Sequence, residues 1–182
     1  MMSLLVSRAM ARARRFGRNR RGSAAIEFAM VAPIFIGLLF AIIETAFVFL
    51  AGQSLETAVQ DSARLILTGQ AQTASYSQGK FKTEVCNRLK ALFTCDGIHV
   101  DVQSYGSDFS TVKITTPIDP KTKAFVDNMQ YDPGKAGDIV VVRAFYEWPL
   151  FVTGLGWNSA NLSGSKRLLS ATAAFRNEPY SN

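Results

Sequence analysis

The sequence predicts an α+β fold in which one long N-terminal helix lies against a small antiparallel sheet. Three observations predict it: an apolar run over residues 28–51 broken only by Glu44, a helix-period pattern that carries the run on to Thr68, and four short strand-like stretches after residue 97. A helix spine on an antiparallel sheet is one of the few layer arrangements that bury one face of each element. At 182 residues the chain has room for one modest domain and an anchoring segment.

From Phe28 to Ile43 the stretch FAMVAPIFIGLLFAII carries no charge, and after Glu44 the run resumes as TAFVFLA to Ala51. About 24 helical positions cross a hydrocarbon core of roughly 30 Å. Ahead of them, residues 1–22 hold seven arginines (Arg8, Arg12, Arg14, Arg15, Arg18, Arg20, Arg21) and no acid. Removing those seven from the 20 basic residues leaves 13 against 14 acidic ones, so the remainder is close to neutral. The net charge of +6 therefore belongs to a leader and not to a docking face, which argues against nucleic acid as a partner. Arginines on one flank also orient the span, with the N-terminus cytoplasmic and the rest outside. The expected organisation is a basic cytoplasmic leader over 1–22, a transmembrane helix over 23–51 and an external domain over 52–182.

Ordinary targeting signals fit this segment incompletely. A secretory signal would have a shorter apolar core and a small-residue cleavage site, whereas FLAG at 49–52 puts Phe49 where a small residue belongs. A twin-arginine reading of Arg14-Arg15-Phe16 is weak in so arginine-rich a leader, and an uncleaved signal anchor fits the hydropathy alone. None of the three explains Glu27. A carboxylate inside a membrane helix costs about 2.5–3.5 kcal/mol on insertion scales and is by default a functional hypothesis. Glu27 lies five residues past Gly22. A cut after Gly22 would give Ser23 a cationic amine with a pKa of about 8, roughly one turn from the glutamate and beside the exposed N–H groups of a helix start.

A short basic leader, a glycine, a small residue and a glutamate at the fifth position of the apolar run resemble the processing signature of type IV pilin-like proteins. More narrowly, about residues 20–70 resemble TadE-like pseudopilins of the Tad (Flp) tight-adherence pilus, through Gly22, Ser23, Glu27-Phe28, Pro33, Glu44 and Ser62-Ala63-Arg64. The resemblance implies a type IV pilin-like fold and cleavage between Gly22 and Ser23 by a prepilin peptidase. It also implies a single-pass location in a bacterial inner membrane, with the C-terminal domain periplasmic and incorporation into an extracellular pilus as a further step. The implied partners are other Tad/Flp pilins and pseudopilins and the inner-membrane assembly platform. Major Flp pilins are smaller and carry Tyr where this chain has Phe28, so the likeness is to a minor component.

Glu44 lies 17 residues beyond Glu27, about 25 Å along a helix. It has two readings: a side chain snorkelling to the outer headgroups, or a partner for a basic group on a neighbouring subunit. Ala25, Ala29, Pro33, Gly37, Ala41 and Thr45 recur every fourth residue. Small residues at this spacing let membrane helices approach closely, and the row wraps by about 40° per step. Pro33 removes a backbone donor and Gly37 weakens the same turn, so a bend or unwound patch is expected near 29–37.

Beyond Gly52, Leu55, Ala58, Val59, Ser62, Leu65 and Ile66 share a helical face, with Glu56, Gln60, Asp61 and Arg64 opposite. Gly69 should end the helix. QAQTASYSQG, 70–79, reads as a polar loop, and residues 80–92 as a second helix. Cys86 and Cys95 would sit about 13.5 Å apart on one continuous helix, so a bond between them requires a turn near Phe93-Thr94. An oxidising exterior favours that bond over two buried free thiols. Strands are expected around Ile98–Gln103, Val112–Thr116, 138–148 as the central one, and 168–176, with turns at Asp119-Pro120 and Asp132-Pro133-Gly134. His99 reads as a solvated strand residue. Phe151, Leu155 and Trp157 in the loop 149–166 read as core filling or as an interaction patch.

Catalytic signatures do not emerge: there is no G-x-S-x-G, P-loop or H-E-x-x-H pattern, and two cysteines with one histidine make a poor metal set. No enzyme activity, metal or cofactor is expected. Two functions remain: a processed minor pilin acting in pilus assembly, priming and surface adherence, or an uncleaved single-pass protein whose external domain scaffolds an envelope complex. A cleaved, secreted domain is a weaker third.

Overall fold

The structure is a computed structural model that describes residues 22–89, 92–152 and 158–180; the predicted leader therefore falls outside the described residues except for Gly22. The chain divides into two units, Met1–Ile42 and Ile43–Asn182.

Helix α1 runs Ser23–Leu67 without interruption. Within the first unit its large apolar side chains, among them Ile26, Phe28, Ile34, Phe35, Leu38 and Phe40, are exposed. The unwound patch expected near 29–37 is not there. Pro33 sits inside a continuous helix, since the loss of one donor leaves the neighbouring i→i−4 bonds in place. By length and composition this helix can cross a membrane.

In the second unit α1 turns amphipathic as the sequence predicts. Ala51, Leu55, Ala58, Val59, Ala63 and Ile66 are buried, while Gln60, Asp61 and Arg64 are exposed. The helix ends because Gly69 takes φ 75°, a left-handed conformation that costs glycine little. The predicted polar loop 70–79 instead contains a short helix, α2, Gln70–Thr73, with Ala71 buried. Its polar side chains find backbone partners: Gln72 Nε2 donates to Pro133 O at 2.9 Å. Helix α3, Gln78–Asn87, starts earlier than expected because Ser77 caps it, its Oγ accepting from Lys80 N, and it also ends earlier. It buries Phe81, Val85 and Cys86. The chain then turns back through a 3-10 segment, Cys95–Gly97, and Cys86 and Cys95 form a disulfide with Cα atoms 5.5 Å apart.

Three antiparallel strands follow in the order β1 (Ile98–Ser104), β2 (Ile139–Pro149), β3 (Lys166–Arg176). Val100 and Val102 of β1, Val140, Val142 and Ala144 of β2, and Leu169 and Ala171 of β3 join the α1 face in one core. β2 is central and buried on both faces, which is why it reads as a nearly continuous apolar run. Its other face carries Phe145, packed with Leu162 and Leu168 under Ile118, Phe125 and Met129.

The strand expected at Val112–Thr116 does not form. A 3-10 turn occupies Phe109–Thr111, and Ile114 is exposed. The carbonyls of Lys113 and Thr115 accept from the Tyr105 hydroxyl and the Arg143 guanidinium, at 3.0 and 2.7 Å, so they are not available for a strand ladder. Asp119 does make its turn, accepting from Lys121 N and Thr122 N.

Candidate functional site

The residues singled out from the sequence lie along α1. Ser23 is its first residue and Glu27 stands four residues on, at an exposed position. A Cβ placed on Gly22 would meet no atom within 4 Å, and its φ is not left-handed. Among the described residues, neither packing nor backbone conformation requires glycine there. Along the small-residue row, Ala25, Ala29 and Pro33 are exposed, whereas Gly37, Ala41 and Thr45 are half-buried.

Glu44 has a partner that neither sequence reading anticipated. Its Oε1 accepts hydrogen bonds from the backbone N–H groups of both Phe151 and Val152, and the Val152 N–H also lies 3.3 Å from Oε2. Charge-assisted bonds of this kind are about twice as strong as neutral ones. They tie the residues that follow β2 to α1. Beside this contact, α1 residues Thr45, Phe49, Gln53 and Glu56 and the start of β3 around Arg167 and Leu168 line a groove of about 580 Å³. Of the loop aromatics, Phe151 is 86% exposed, so it does not fill the core; Leu150 next to it is buried and does. Leu155 and Trp157 lie outside the described residues.

On the opposite face of the sheet a buried ion pair escaped the sequence reading. Asp101 Oδ2 receives Arg143 Nη2 at 2.7 Å and Nε at 3.1 Å. Gln130 N–H donates to Oδ1 at 2.9 Å, and Gln103 Nε2 reaches both oxygens. The signal was present in outline, because Arg143 is the one charge within the apolar stretch IVVVRAF and Asp101 stands between Val100 and Val102. His99 is likewise not simply solvated. Its Nδ1 lies 2.9 Å from Asp127 Oδ2 and its ring packs on Phe125 at 4.6 Å.

A membrane-length N-terminal helix whose later turns pack on a small antiparallel sheet is the α+β layout of pilin-like proteins. Residues 22–64 match the family model described as TadE-like protein. Over that stretch, which opens at the glycine and ends at Arg64, the chain is TadE-like. Among curated proteins and solved structures nothing matches.

Proposed function

We propose that this chain is a minor pilin or pseudopilin of a Tad (Flp) type IV pilus, cut by a prepilin peptidase between Gly22 and Ser23. In this reading it then acts in pilus assembly or priming and in surface adherence. The observation that carries the reading is the TadE-like match beginning at Gly22. Two structural points support it. Among the described residues Gly22 has no steric or conformational reason to be glycine, which fits a residue selected by a peptidase. The helix begins at Ser23, so side chains at the fifth position lean back over the first turn, where a new amine would stand. Glu27 then supplies the opposite charge, to its own amine or to that of a neighbouring subunit.

In the membrane the mature helix presents the small-residue row Ala25, Ala29, Pro33, Gly37 and Ala41 to other pilins, with the C-terminal domain in the periplasm and the assembly platform as its partner. Coexpression with the cognate prepilin peptidase tests this by intact-mass spectrometry. The expected product lacks residues 1–22, and Gly22→Leu blocks the shift. Glu27→Ala should still be cut yet abolish piliation. A working protein that keeps its arginine-rich leader would leave the tethered envelope scaffold as the surviving reading.

A further inference from the structure

The hydropathy of the sequence places the outer end of the span near Ala51, about seven residues or ~10 Å beyond Glu44. The structure places polar machinery at the level of Glu44 itself. Its carboxylate holds the N–H groups of Phe151 and Val152. Leu150 N–H donates to Ser165 O at 2.9 Å, and Pro149 pairs with Lys166. Lys166 Nζ lies 2.9 Å from Glu147 Oε2, both side chains being partly exposed. Irregular backbone, a carboxylate and a lysine–glutamate pair cannot lie in hydrocarbon without water or protein around them. In the same stretch Phe151 is 86% exposed, and on α1 the apolar residues Ile43 and Phe47, one and three positions from Glu44, are exposed as well. Residues 23–43, rising ~1.5 Å each, cover about 31 Å, which matches a hydrocarbon core of roughly 30 Å without residues 44–51.

We infer that the residues that follow β2, Leu150–Val152, rest on the membrane surface that faces the C-terminal domain. The hydrocarbon boundary lies at Ile43–Glu44, Phe151 inserts among the lipid headgroups and upper acyl chains, and Lys166 stands at headgroup level. The occupant of this exposed patch is the lipid interface, because Ile43 and Phe47 belong to the apolar run 28–51 that the sequence assigns to the bilayer. Glu44 is the positioning residue. By taking both loop N–H groups it removes the cost of bringing that backbone to the interface and fixes where Phe151 points. The inference rests on the membrane-spanning reading of α1.

The test uses the full chain in liposomes, with an environment-sensitive fluorophore on Phe151→Cys, Phe35→Cys or Phe109→Cys and the native disulfide kept oxidised. Quenching is read with spin-labelled lipids that carry the label at the headgroup or at mid-acyl depth. Position 151 is expected to be quenched most by the shallow label and several-fold more than position 109, and position 35 most by the deep one. Quenching at 151 no greater than at 109, with position 35 still lipid-quenched, leaves the membrane span standing and overturns this inference. Position 151 quenched best by the deep label overturns the boundary at Glu44. No lipid quenching at position 35 overturns the span and the inference together. Glu44→Leu should lower quenching at 151 to the level at 109; unchanged quenching removes the positioning role.

Discussion

Asp101→Ala is the substitution with the largest effect that the structure lets one work out. Asp101 is 1% exposed and Arg143 7%. The aspartate accepts two bonds from the guanidinium, one from the Gln130 backbone, and contacts from Gln103. Removing it leaves a buried guanidinium with Thr115 O as its remaining acceptor among the described residues and strips Gln130 N–H of that bond. Breaking a buried pair from one side costs about 3–5 kcal/mol, most of it the stranded charge. In a chain of this size each kcal/mol moves Tm by about 2–4 °C, so a fall of about 6–20 °C is expected. The assay is thermal and denaturant unfolding of the full chain in detergent, followed by near-ultraviolet circular dichroism. Arg143→Met alone and the double variant close the cycle. The double variant should recover much of the loss, because an apolar pair no longer carries an uncompensated charge. A single-variant cost below about 1 kcal/mol, or a strictly additive cycle, would refute the reasoning, since the pair would then behave as an exposed one.

Three further outcomes are expected. Burial, and secondarily the charge of Tyr76, pushes Tyr131 up to about 12, above an unfolded value of about 10. Native stability is thus fully present below that unfolded value and falls as pH rises toward 12. Tyr131→Phe should abolish this part of the alkaline loss without weakening the protein at neutral pH, because the hydroxyl makes no hydrogen bond among the described residues; comparing denaturant midpoints at both pH values checks it. Gly69→Ala should cost about 2 kcal/mol or more, from the left-handed backbone and from a collision with the Tyr180 ring, and an unchanged midpoint would contradict it. Replacing Cys86 and Cys95 together by serine should cost about 2–3 kcal/mol for so short a loop, read as the same loss that reduction produces in the native chain.

The sequence made the helix legible because each of its signals is local. An uncharged run, a 3.6-residue stripe from Leu55 to Ile66 and a glycine at 69 each need only their neighbours. The strands β1, β2 and β3 were legible for a similar reason, since alternation in IHVDVQ and the doubly buried IVVVRAF report burial directly. Val112–Thr116 alternates as well, yet side chains from Tyr105 and Arg143 capture its carbonyls. No local pattern announces that competition. Loop 70–79 misled in the same way, its glutamines bonding to distant backbone at Pro133 and Val100.

By itself the sequence determined that this chain carries a membrane-length helix, that a glycine and a glutamate mark its start, and that an α+β domain follows. Hydrophobic period and charge distribution are properties of adjacent residues, so they survive without a fold. Only the tertiary structure decided which acid holds which backbone. Glu44 meets Phe151 and Val152, and Asp101 meets Arg143 and Gln130, because the hairpin and the sheet register bring together residues that lie from 29 to 108 positions apart. Partner choice across such separations is set by packing, which places each buried or interfacial charge where an unpaired one would be too costly.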